Sequence, residues 1–189
     1  MVKIPSFLRP VVAPGESARE RQLKTFRAEI QTAAASGDRL RIETLLDRPK
    51  QLGLAEEDAA LECEHLAGLL AAADLRERLG RGEPLEVIRT RHPAISGENC
   101  HFIAPASFPD GLMDQGGKLF LTDKRVLYLG HSTHEAAWPQ VTEVRDQERD
   151  IFLTVQPLDL LRFRFVSYVD ALKAVELARH LSRSARAVK

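Results

Sequence analysis

Gly117-Lys118-Leu119-Phe120-Leu121-Thr122-Asp123-Lys124-Arg125-Val126-Leu127-Tyr128-Leu129 is the stretch on which the fold turns. Two β-type runs, 118–122 and 125–129, flank Asp123-Lys124. A two-residue connection leaves room only for an antiparallel hairpin. Thr122 and Asp123 have short polar side chains suited to holding a turn through local backbone hydrogen bonds, and Lys124 and Arg125 are expected to keep the tip solvated.

Beyond the hairpin, further strands are expected over 135–138, 141–145, 151–155 and 160–165. In the last of these Leu161, Phe163 and Phe165 alternate with Arg162 and Arg164, so one face is core and the other a wet basic row. A helix over 168–182 should follow. Ser167 is its cap, Asp170 sits in its first turn, and Tyr168, Ala171, Leu172, Val175 and Ala178 form an apolar face that can cover an open end of the sheet. Upstream, 85–88 and 100–103 read as short strands separated by a loop at 92–97, and 111–118 reads as a mobile loop leading into the hairpin.

Gly80-Arg81-Gly82-Glu83-Pro84 breaks the chain into two parts. Before it the spacing is helical. Ser17 and Glu20 have the form of a capping box ahead of Leu23, Phe26, Ile30 and Ala34, and that helix should stop at Gly37. Asp38 can cap a short second helix limited by Pro49, and a long third helix is expected over 55–79. At about 100° per residue the third helix has two apolar stripes. Ala59, Cys63, Leu66, Ala67, Leu70 and Ala73 lie on one; Leu61, Gly68, Ala72, Leu75 and Leu79 lie nearly opposite. One stripe packs on the first two helices. The other needs a second surface, either the C-terminal part of the chain or another copy of it, which makes these five residues a candidate interface.

Seven or so antiparallel strands closed by an amphipathic helix is the element order of a pleckstrin-homology-like (PH-like) barrel. The segment 117–128 resembles the glycine, apolar strand, T-(D/N)-K-R, apolar strand signature of bacterial PH-like and GRAM-like domains, and 137–144, with Trp138, Val141 and Val144, is similar to the strand that follows it in that superfamily. The resemblance covers about 83–183. It implies an α+β protein: an N-terminal α-helical segment over 17–80, then a PH-like antiparallel β-barrel capped by a C-terminal helix, with an extended arm over 1–16 and a basic tail over 184–189. It also implies a non-catalytic scaffold whose relatives bind phospholipid headgroups, peptides or other proteins.

Composition narrows the function classes. Of 189 residues, 44% are hydrophobic and 29% charged, and 27 Lys and Arg balance 27 Asp and Glu, so a nucleic-acid-coating polycation is excluded. Two cysteines cannot build a disulfide framework and point to a reducing, cytoplasmic setting. Pro5, Pro10 and Pro14 interrupt the apolar start long before a membrane span, leaving Ile4, Phe7, Leu8, Val11 and Val12 to dock on the body or on a neighbour.

Catalytic and metal patterns are weak. Cys63 with His65, Cys100 with His101, and His131 with His134 lack zinc-site spacing, and no cofactor is expected. The 111–118 segment approaches a phosphate loop, but Leu119 stands where Ser or Thr is required and a strand follows in place of a helix. For anionic lipid headgroups the candidates are Arg89, Arg91, His92 and Lys124, as the resemblance places basic residues on and after the first strand; Lys118 could join them. Arg179, Arg183, Arg186 and Lys189 make the end of the chain basic. Three expectations follow: association with a protein partner or with itself, then a peripheral membrane adaptor, then a zinc-dependent or other hydrolase.

Overall fold

The structure, a computed structural model, describes residues 17–110, 113–157 and 159–187. The expected arm over 1–16 and Lys189 lie outside the described residues. Seven antiparallel strands form one sheet: β1 Cys100–Asp110, β2 Met113–Thr122, β3 Arg125–Leu129, β4 Thr133–Ala137, β5 Val141–Gln147, β6 Asp150–Val155 and β7 Asp159–Phe165. Their order is β4-β3-β2-β1-β7-β6-β5. Four helices precede them, α1 Ala18–Ser36, α2 Arg39–Thr44, α3 Arg48–Gln51 and α4 Glu56–Gly80, and α5 Tyr168–Ala187 follows. This is the α+β, PH-like arrangement expected from the sequence, with one difference. β4 and β5 are the two edges of the sheet, joined by the 3-10 turn Trp138–Gln140, so the strands do not close into a barrel.

The strand hairpin forms as its spacing requires, with Lys118 opposite Leu129 and Leu121 opposite Val126. Both of its faces are buried. Leu119, Leu121, Val126 and Tyr128 point into the main core with Trp138, Ile151, Leu153, Phe163 and Phe165, and α5 seals that core with Ala171, Ala174, Val175 and Ala178. Phe120 and Leu127 point the other way and are covered by Ile95 and Cys100. That second small core explains why Leu119-Phe120-Leu121 is a continuous apolar run rather than an alternating one.

Three local expectations are corrected. Residues 85–88 are not a strand: Ile88 makes a single bridge to Cys100 while Leu85 packs against the main core, so the segment covers the sheet without extending it. The loop expected over 111–118 is mostly strand, because β1 runs to Asp110 and β2 starts at Met113. Gly117 belongs inside β2 for a packing reason, since a Cβ there would sit 2.5 Å from the Leu129 carbonyl oxygen and 2.7 Å from the Tyr128 ring. Pro49 starts a helix instead of ending one: it occupies the first turn of α3, where its missing N–H costs nothing.

The turn at 123–124 is held more tightly than a solvated tip. The buried Thr122 hydroxyl accepts from the N–H of Lys124 at 3.1 Å and of Arg125 at 3.0 Å, and it donates to Glu98 Oε2 at 2.7 Å. Asp123 takes the Asn99 N–H and side-chain amide, both at 3.1 Å. Arg125 is clamped, not solvated, bonding Glu98, Glu135 and the Ala94 carbonyl. The turn thus ties the 93–99 segment to the sheet, and Trp138 adds a bond from its indole N–H to the Thr122 carbonyl at 2.7 Å.

The helical part has its own core of Phe26, Ile30, Ala33, Ile42, Leu45, Leu54, Ala59 and Leu66. Its caps are those read from the sequence: the Ser17–Glu20 capping box, Gly37 in the left-handed region at φ 64°, and Asp38 accepting from Leu40 and Arg41. α4 joins the two halves. Ala59 and Leu66 belong to the helical core, whereas Leu75 packs against the sheet core. Where α4 meets α5, a Cβ at Gly68 would lie 2.8 Å from the Tyr168 carbonyl oxygen and 3.1 Å from Leu172 Cδ1. The helix backbones approach closely only because the side chain is absent.

That contact gives a pair of opposite expectations. Gly68→Ala gains helix propensity of up to about 1 kcal/mol, but its methyl faces backbone that no rotamer change can clear. It should lower stability by about 1–2 kcal/mol, and Gly68→Val by more. Gly80→Ala, with open space around it, should be neutral or stabilising by about 0.5–1 kcal/mol. Urea denaturation midpoints of the three variants test this; a Gly68→Val chain as stable as the parent would show that α4 and α5 do not meet there. Thr122→Val should cost about 1–3 kcal/mol in the same assay, because the Lys124 and Arg125 amides lose their acceptor.

Candidate binding cleft

Three helices and one strand hairpin converge on a cleft of about 620 Å³, within the range of pockets that hold a ligand or a few side chains. Each helix contributes a stripe at helical spacing: Arg27, Ile30, Gln31 and Ala34 from α1; Leu61, Glu62, His65 and Leu69 from α4; Tyr168 and Leu172 from α5. The end of β5 and the turn after it supply Asp146, Gln147 and Glu148. The floor is apolar. The walls carry charge.

The frame of the cleft is an ion-pair network that crosses from α4 to α5 to β5. Glu176, only 5% exposed, takes both forks of Arg76, at 2.6 and 3.2 Å. Arg179 reaches Glu176 at 3.3 Å and Asp146 at 2.7 Å, and its Nε donates to the Val144 carbonyl at 3.4 Å. Hydrogen bonding to Glu176 raises the Arg76 guanidinium above its ordinary value. The α5 N-terminus is capped twice: Glu64 Oε1 accepts from the Tyr168 N–H at 3.0 Å, and Ser167 Oγ accepts from the Asp170 N–H at 3.1 Å.

Inside the cleft, buried Glu62 accepts from Arg27 Nε at 2.5 Å. The His65 imidazole stacks on the Tyr168 ring, centroids 4.3 Å apart and planes 17° from parallel, and the Arg149 guanidinium lies 5.8 Å from the Tyr168 ring centre. Burial pushes His65 below its ordinary value of 6.5, against an opposite pull from Asp146, Glu62, Glu148 and Glu64. Glu148 opens the tight turn between β5 and β6 with a left-handed φ of 55° and has no ion-pair partner among the described residues. The cleft therefore carries more negative than positive charge.

The residues singled out from the sequence are placed as follows. Arg89 and Arg91 are exposed on the segment before the sheet. His92 caps the 3-10 turn at Pro93–Ile95 through Nδ1, which accepts from Ala94, and the Lys124 ammonium donates to the Gly97 carbonyl at 3.1 Å. His92 and Lys124 thus both serve the 93–99 segment. Of the five interface candidates, Gly68 and Ala72 are buried, Leu75 packs on the sheet core, Leu79 is half-buried and Leu61, 45% exposed, lines the cleft. The basic row is not free: Arg162 and Arg164 both bond the buried Asp150, which offsets one of their two charges. Burial raises the Asp150 carboxyl, but the two guanidiniums outweigh it and hold it low.

Among the described residues no three His, Cys, Asp or Glu side chains are grouped to hold a metal. His134 instead stacks on Phe108 at 3.7 Å and bonds Ser132. Cys63 and Cys100 are free thiols, both raised by burial away from the reactive thiolate. Sequence reasoning missed the cleft because its lining comes from four separated segments. The one signal available was the run of acids and apolar residues at helical spacing in 61–69.

No family model matches this chain, and no curated protein does. Several solved structures are similar. The PDZ-RhoGEF DH/PH domains, solved in complex with GTP-γ-S-activated RhoA, share 14% identity with 84% of this chain covered, at a TM-score of 0.43. The N-terminally truncated linker-DH/PH domains of p115-RhoGEF share 9% over 87% of this chain, also at 0.43. The C-terminal domain of an unknown protein from Leishmania infantum shares 12% over 47% of this chain and 89% of its own, at 0.42. This chain spans 54% and 56% of the two RhoGEF fragments.

Titration of His65 has a defined sign. Arg27 from α1, Glu62 and Glu64 from α4, Asp146 and Glu148 from the β5 end, and Tyr168 from α5 surround it. Its folded-state value is depressed, so below 6.5 the unfolded chain takes up the proton first. Stability present above that pH should fall as pH drops toward the folded-state value. His180 on α5, depressed by burial and by Arg183 and His101, should add to the loss. Urea midpoints measured from about pH 7.5 to about pH 5 should show a shallower decline for His65→Asn than for the parent; an identical slope would mean that His65 is freely hydrated.

Proposed function

We propose that this chain works as a binding protein that associates with a protein partner through the cleft between its helical segment and its sheet. The observation that carries this reading is the cleft itself. It is lined by the apolar Ile30, Leu61, Leu69 and Leu172 and by charged side chains, one of which, Asp146, ends the network through Glu176. A concave site of this composition recognises side chains. The helical stripe that could have served self-association is covered by α5 at Gly68, so Leu61 in the cleft is the exposed member through which association is proposed. A reducing, cytoplasmic setting is proposed from the two free thiols. No described helix is long and apolar enough to cross a membrane. Kinship with bacterial GRAM-like domains is proposed from the 117–128 signature, the Trp138 segment after it and the closing helix.

A peripheral membrane role is the second reading, and one observation favours it: Arg89 and Arg91 are exposed with no partner among the described residues. Both side chains are available to phosphate.

The two readings separate experimentally. Affinity purification of the full chain under native conditions should recover a partner that Leu61→Glu releases and Leu40→Glu, on a leucine 71% exposed in α2, retains. Unchanged thermal stability of both variants is the control, and light scattering after size exclusion reports whether the partner is a second copy. Retention of every partner by Leu61→Glu would remove the cleft from consideration. Flotation of the chain with phosphatidylserine vesicles at low salt, lost in Arg89→Glu and at high salt, would establish the membrane reading instead.

A further inference from the structure

The walls of the cleft also say what kind of side chain it takes. Glu62, Asp146 and Glu148 line it, with Arg27 as the one cation among the lining residues. Glu62 is already satisfied by Arg27 and Asp146 by Arg179. Glu148 has no ion-pair partner among the described residues, and it lines the cleft from a turn position with a left-handed φ of 55°. Leu61 and Leu69 line the same cleft and offer the aliphatic stem of a long side chain an apolar contact. Glu148 is exposed, so an anionic occupant would be repelled by it and a purely apolar one would leave it unpaired, whereas a cation pairs with it.

We propose that the cleft takes a basic amphipathic segment of a partner protein, one arginine or lysine of which pairs with Glu148 beside Asp146 while neighbouring apolar side chains rest against Ile30, Leu69 and Leu172. The assignment rests on the protein-binding reading above and adds the chemistry of the partner to it. His65 stays neutral beside the incoming charge because burial depresses it, so the cation meets no competing imidazolium at neutral pH.

Selection of a random twelve-residue peptide library displayed on phage against the full chain provides the probe. Enriched peptides should carry Arg or Lys next to Leu, Ile or Phe. A synthetic copy of the leading peptide should lose about tenfold or more in affinity against Glu148→Lys, and a copy with its cation replaced by Glu should recover binding to that variant. Glu148→Gly, which relieves the backbone strain, should weaken binding without loss of stability and keeps the test valid if the lysine variant folds poorly. No enrichment, or basic peptides indifferent to both Glu148 variants, overturns the proposal. Acidic or neutral peptides that Leu61→Glu still displaces would overturn the cationic assignment alone and leave the cleft as a protein-binding site. Peptides indifferent to Leu61→Glu as well would take the broader reading down with it.

Discussion

The approach of α4 to α5 is the constraint on which the rest depends. Gly68 lets the two helix backbones touch, the Arg76 fork on buried Glu176 holds the crossing, and Glu64 caps the first turn of α5 from the neighbouring helix. Without that contact the helical segment and the sheet would be two small units, each with its own core. With it, α5 serves both: one face seals the sheet while the other receives α4. Removing one partner of a buried ion pair costs far more than the pair contributes when intact, because it strands a charge in a poor solvent. Glu176 therefore fixes geometry more than it adds stability.

The cleft is a by-product of the same packing. α1, α4, the start of α5 and the β5–β6 turn surround a space that the apolar residues on the three helices do not fill. One charged side chain of its lining also ends the structural network: Asp146 pairs with Arg179, which pairs with Glu176. A side chain already held by such bonds loses less freedom when a ligand meets it than a free one does. The fold class alone does not dictate this site, since a PH-like sheet supports many unrelated partners.

The region 85–99 shows how an apolar pattern can mislead. Leu85-Glu86-Val87-Ile88 reads as a short β-type run, yet Leu85 packs on the main core and Ile88 makes only one bridge to Cys100. A short β-type run is silent about whether a neighbouring strand exists to pair with. Arg125 misled in the opposite direction. Its place at a two-residue turn suggested solvation, and the packing of 93–99 turned it into a clamp.

What the chain determined by itself was local. Caps at Ser17, Asp38 and Ser167, the stop at Gly37 and the hairpin around Asp123-Lys124 involve residues within about four positions of one another, and the physics of a helix end or a tight turn is complete at that range. The element order, and with it the PH-like architecture, followed from these. Only the tertiary structure decided that the sheet stays open, that Asp150 bonds both Arg162 and Arg164, and that residues from 27–34, 61–69, 146–148 and 168–172 share one cleft. Those outcomes depend on contacts between segments far apart along the chain: the stripe that holds Gly68 shows in the sequence that a second surface covers it, and only the fold shows that this surface is α5.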